Sequence, residues 1–114
     1  MGNTTIAILV LDKFESQLRK DLIEVGQRPL VHDASQLANK AHSLKGSAAA
    51  VAAIGLQRMA ANLESLARHN EIASIAAELA GLQTEIGRCL GYIPTAKAEL
   101  RKADERRVST ESPL

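Results

Sequence analysis

At 114 residues, 46% hydrophobic and 24% charged, the chain has room for one compact globular domain and none for a second. A formal net charge of +1, with lysine and arginine interleaved among aspartate and glutamate, leaves no basic stripe of the kind nucleic acid requires. Phe14 and Tyr92 are the sole aromatic residues, so the core must be built from Leu, Ile, Val, Met and much Ala, a recipe for closely packed helices.

The apolar start, Ile6 to Leu11, is too short to cross a bilayer and lacks the basic flank and small-residue cleavage site of a signal peptide, so the expected compartment is the cytoplasm. It also lacks the basic face of a membrane-surface helix. From there, apolar residues recur at spacings of three and four in four successive segments, the period of amphipathic helices. The first stripe is Leu11, Phe14, Leu18, Leu22 and Val25, with Asp12, Lys13, Glu15, Arg19, Lys20 and Asp21 mostly off it, and Gly26 and Pro29 break the pattern. The second helix begins near Asp33, a carboxylate placed to cap the free amides, with Gln36 three residues on able to reach back. Its stripe is Leu37, Ala41, Leu44, Ala48 and Val51.

The third stripe, Leu56, Met59, Leu63 and Leu66, closes at His69-Asn70, where Asn tolerates a left-handed backbone. The fourth runs Ile72, Ile75, Leu79, Leu82, Ile86, Cys89 or Leu90, and Ile93; Pro94 is expected to end or kink it, with a polar helical extension over Thr95 to Arg107. Short connections make neighbouring helices antiparallel, so the expected fold is an all-α, up-down-up-down four-helix bundle. It is expected to occupy residues 1–107, with 108–114 a frayed tail, and such a bundle is complete as a monomer.

Several features are expected to be structural. Cys89 is a lone thiol among apolar neighbours, read as a buried small hydrophobe. His32, His42 and His69 share no metal-ligand spacing and no accompanying Cys or carboxylate motif, so no metal is expected. No Gly-x-x-x-x-Gly-Lys loop is present to hold a nucleotide, which argues against autonomous ATP-dependent kinase activity. Gly81, Gly87 and Gly91 are read as permitting close helix packing.

His42 is different. With Leu37 as zero and 100° per residue, the second helix keeps its apolar stripe within roughly 40°, while His42 falls near 140° and points outward. Its neighbours three, four and seven residues on are Lys45, Gly46 and Ala49, so the imidazole stands on a face with little bulk beside it. Imidazole titrates near neutrality, so much of an exposed ring is the uncharged nucleophile, and an adjacent ammonium offsets phosphate charge. A single surface histidine with a lysine one turn away is usually inert, and the surrounding string carries the weight.

That string, Ala41-His42-Ser43-Leu44-Lys45-Gly46-Ser47-Ala48, resembles the signature of histidine phosphotransfer domains, an Ala-His-x-Leu-Lys-Gly-Ser run bearing the phosphorylated histidine. Leu56, Leu63-Glu64 and the basic Arg68 match the family's following helix, and the likeness extends over residues 11–93. The resemblance implies a phosphorelay intermediate of two-component signalling: His42 accepts a phosphoryl group from one receiver-domain aspartate and passes it to another. It implies that Lys45 steadies the phosphate, Gly46 leaves the approach open and Glu64, where some members have Gln, orients the imidazole, unless it pairs only with Arg68 one turn away. The implied partners are response-regulator receiver domains and a hybrid sensor histidine kinase. No cofactor is implied in this chain; magnesium is expected in the partner receiver. The alternative is a non-catalytic helical module that docks a receiver or other regulatory partner with His42 a bystander. One departure stands out: Ala52 occupies a turn position where the family commonly has Gly.

Overall fold

The computed structural model describes residues 2–25 and 33–111, and side chains from 3 to 106 within them. It is an all-α bundle of four helices in these residues: α1 (Gly2–Val25), α2 (Ala34–Ala50), α3 (Ile54–Arg68) and α4 (Ile72–Glu111). Gly26, Pro29 and His32 lie outside the described residues, as does the end of the expected tail, residues 112–114. The molecule is elongated, 65 × 19 × 17 Å, because 40 residues of α4 at about 1.5 Å each set its length.

The apolar stripes supply the core. Phe14, Leu18 and Val25 from α1 meet Leu37, Ala41, Leu44 and Ala48 from α2, Leu56 and Leu63 from α3, and Ile75, Leu79, Leu82, Ile86 and Ile93 from α4. Leu11, Leu22, Val51, Met59, Leu66 and Leu90 are only partly covered. Ala38, Ala60 and Ala67 are also buried, which lets α2 and α3 approach closely. Two expectations need correction. Ile72, at 54% exposure, starts α4 outside the core, and Cys89 is half-buried rather than buried.

α2 starts as its sequence indicates: Asp33 Oδ1 accepts from the Gln36 amide at 3.0 Å. Both ends of the central hairpin then close in the same way. After α2, the Ala53 amide donates to Ala48 O (2.9 Å) and the Ala52 amide to Ala49 O (3.1 Å); after α3, Glu71 donates to Leu66 O (3.0 Å) and Asn70 to Ala67 O (3.2 Å). This pairing requires a left-handed residue, and Ala52 (φ 58°) and Asn70 (φ 54°) occupy it. The turn that usually takes glycine is thus kept with alanine rather than rebuilt.

α1 and α4 run further than their stripes suggested. α1 begins at Gly2, so the apolar run from Ile6 forms its first turns. Pro94 does not end α4: the helix passes through it to Glu111. A proline inside a helix costs about 3 kcal/mol, and contacts to α1 on both sides of it offset that cost. Ile93 is 3% exposed, and Lys97 pairs with Asp12 and, at 3.4 Å, with Glu15. The glycines of α4 also differ from expectation. A methyl group on Gly81 would meet the Met59 methyl at 3.0 Å, whereas at Gly87 and Gly91 it would meet nothing, so only Gly81 serves close packing.

α1 is fastened to α2 by a buried acid that the stripe pattern placed off the core. Asp21 is 2% exposed; it accepts from Gln17 at 3.0 Å and pairs with Lys40 at 2.8 Å. Lys40 also pairs with Glu24.

Ala52→Gly should stabilise the protein by about 0.5–1 kcal/mol, because relief of left-handed strain exceeds the added freedom of the unfolded chain. Chemical denaturation should show a higher midpoint with an unchanged slope.

Candidate functional site

α2 and α3 pack side by side and antiparallel, which brings the middle of one against the second half of the other. His42 lies on the flank of this pair, its side chain 65% exposed, while its neighbours Ala41 and Leu44 are buried and anchor the turn that carries it. Every sequence-derived candidate except Gly46 meets at one carboxylate. Glu64 Oε2 lies 3.0 Å from His42 Nδ1 and accepts from Arg68 Nη2 at 2.8 Å and Arg68 Nε at 3.2 Å. Glu64 Oε1 accepts from Lys45 Nζ at 2.7 Å. Pairing with the imidazole and pairing with Arg68, set as alternatives by the sequence, occur together.

Glu64 is 9% exposed, and a carboxylate so enclosed needs several donors to remain charged. The Lys45 ammonium first, and the Arg68 guanidinium next, hold its carboxyl down at about 2 against the opposing effect of burial, with a smaller contribution from His42. An ionised carboxylate only accepts. The ring nitrogen facing it must therefore carry the hydrogen: Nδ1–H donates to Glu64, and the lone pair resides on Nε2, the nitrogen remote from the backbone. The ring is thus oriented, fixed in one tautomer and left exposed on its nucleophilic edge.

Gly46, one turn beyond His42, is exposed, and a methyl group built there would meet nothing within 4 Å. The chain's own packing makes no demand for glycine at this helix-interior position. Ser35 and Asn39, on the same face before His42, line with Arg68 a shallow depression of about 320 Å³; sequence reasoning passed over both, though spacings of three and seven residues from His42 put them on its face. His69 stands apart, its Nδ1 2.7 Å from Ser65 O at the end of α3. His32 lies outside the described residues. No described helix is long and apolar enough to cross a membrane.

In comparisons with known proteins, the family model described as the Hpt domain matches residues 10–91. No curated protein and no solved structure gives a significant match.

The ionised Glu64 network has a definite pH signature. A carboxyl lowered from 4.5 to about 2 in the folded state adds stability that is fully present above its unfolded pKa and is lost as pH falls from about 4.5 through about 2. Denaturation midpoints measured from pH 6 to pH 2 should fall more steeply for the wild type than for Glu64→Gln, which has no such group to titrate; parallel curves would show that the network contributes nothing on folding.

Proposed function

This chain belongs to the Hpt domain family, phosphotransfer modules of two-component signalling that carry phosphoryl groups and are not kinases, and we propose that it is a phosphorelay intermediate working through His42. In this reading Nε2 of His42 attacks the phosphorus of an aspartyl phosphate on one receiver domain. The P–N bond forms as the P–O bond to the aspartate breaks, and the electron pair leaves on that carboxylate. A second receiver aspartate takes the group off again by the reverse displacement. Any magnesium ion in these steps belongs to the receiver's pocket.

The observation that carries the proposal is the pairing of Nδ1 with Glu64 at 3.0 Å on a ring whose side chain is 65% exposed. A bystander histidine has no reason to be held in one tautomer with its free nitrogen outward. Lys45 and Arg68 together outnumber the Glu64 carboxylate by one positive charge, so the site is mildly attractive to an arriving phosphoryl group. Lys45, a flexible point charge, swings from Glu64 Oε1 towards the phosphate once it is present. Gly46 keeps the receiver's path clear at a cost of about 0.5–1 kcal/mol relative to alanine in a helix interior.

Incubation with a phosphorylated receiver domain should transfer label to the wild-type chain in an acid-labile, base-stable form, and His42→Gln should acquire none. Complex formation without label would favour the docking-module reading instead. Gly46→Ala should raise stability by about 0.5–1 kcal/mol in denaturation while slowing label transfer; equal rates would remove the open-approach role.

A further inference from the structure

We infer that Glu64 retains the proton on Nδ1 of His42 throughout the phosphorylated interval, so that the carrier takes up and gives away its phosphoryl group without moving a proton. The inference rests on the carrier reading and specifies what makes the carried group easy to pass on.

The resting ring has a hydrogen on Nδ1, donated to Glu64 Oε2 at 3.0 Å, and a lone pair on Nε2. When Nε2 forms a bond to phosphorus, the ring still carries its Nδ1 hydrogen and becomes an N-phosphorylated imidazolium, with one positive charge shared over the ring. In open water such a ring loses its N–H near neutrality. Loss of that proton would matter for the second step. From the protonated form the phosphoryl group departs leaving neutral imidazole; from the deprotonated form it would have to leave imidazolate, a far poorer leaving group. An anion in contact with Nδ1–H favours the protonated form.

Glu64 is built to supply that anion. Its position does not depend on the ring, because Arg68 Nη2 holds Oε2 at 2.8 Å from the same helix and continues to do so when Lys45, 2.7 Å from Oε1 at rest, turns to the phosphate, and its side chain is only 11% exposed. Among the described residues, the cations in contact with it are Lys45 from α2 and Arg68 from its own helix α3. Both cations weaken its hold on an imidazolium, Arg68 by sharing Oε2 with the ring and Lys45 from Oε1, but Oε2 still touches the ring directly. The dianionic phosphoryl group on Nε2 adds to the hold. A glutamine at 64 would accept the same Nδ1 hydrogen bond and orient the ring as well, yet would offer no charge to the imidazolium. Orientation and proton retention are therefore separable by a single isosteric change.

The test needs no partner protein. Wild type and Glu64→Gln, with folding checked by circular dichroism, are phosphorylated with phosphoramidate. The hydrolysis rate of phospho-His42 is then followed by phosphorus NMR from pH 6 to pH 9, with the nitrogen-15 shift of Nδ1 reporting its protonation. The wild type should keep a protonated Nδ1 and a flat rate to at least one pH unit above the point where the variant starts to fall, and the variant should slow about tenfold per unit beyond it, as expected when one proton governs the rate. A purely orienting Glu64 would change the rates by the same factor at every pH. Coincident profiles, or an Nδ1 that deprotonates at the same pH in both proteins, overturn proton retention and leave the carrier reading standing. Failure of the wild type to take up phosphoryl on His42 at all overturns the carrier reading, and this inference with it.

Discussion

A single enclosed carboxylate, Glu64, decides how this surface works. Removing a charge from most of its water is costly, and Glu64 is 9% exposed. Its charge survives because three donors converge on it, two from α2 and one from its own helix. The two from α2 cross the seam between α2 and α3, so contacts that keep the carboxylate ionised also fix the register of the two helices at the site. The tautomer of His42, the outward aim of Nε2 and the parked position of Lys45 all follow from that one ionised group. Protonate it, and the carboxyl can donate to Nδ1 instead, which removes the preference for a lone pair on Nε2.

The site is electrostatically modest, which fits a carrier better than a catalyst. Two cations and one anion around the ring make a weakly positive patch. A strongly positive one would hold the phosphoryl group too well to pass it on, and a negative one would repel it. Phosphoryl transfer demands positioning and charge compensation more than covalent machinery. On the proposed reading half of that machinery belongs to the docking partner, and this chain need only present an aligned nucleophile on an uncluttered helix flank.

Much of this was legible in the amino-acid sequence, for reasons that differ between elements. Helix count and core followed from period: Leu18, Leu37, Leu63 and Ile86 are almost wholly buried, and each lies on a stripe read at spacings of three and four. The outward direction of His42 followed from the same geometry. The network around Glu64 did not, because a residue on α3 meets one on α2 only once the hairpin's register is known, and spacing within a helix is silent on register. Asp21 was hidden for a related reason. It lies off the apolar stripe of α1 and is covered by Lys40 of the next helix, a contact that local pattern does not encode. Pro94 misled because its local cost is real; burial of Ile93 and the Lys97 pairs on α1 outweigh it, and tertiary contacts are what a single-helix reading omits.

Most of the packing that holds the bundle together lies away from the exposed flank of α2, which explains where the chain tolerates locally unfavourable residues. The long helices α1 and α4 clamp each other through ion pairs and apolar contacts that do not involve His42, and Asp21 with Lys40 ties α1 to α2. The His42 flank of α2 contributes little to this framework: Ser43, Gly46 and Ala49 are exposed, and nothing within 4 Å would oppose a side chain at Gly46. Residues there are free to be small because the fold does not lean on them. Ala52 shows the converse at the end of the same helix. There the backbone must turn left-handed whatever the side chain, the strain is absorbed by the framework, and the turn keeps α3, and therefore Glu64, in register beneath the histidine.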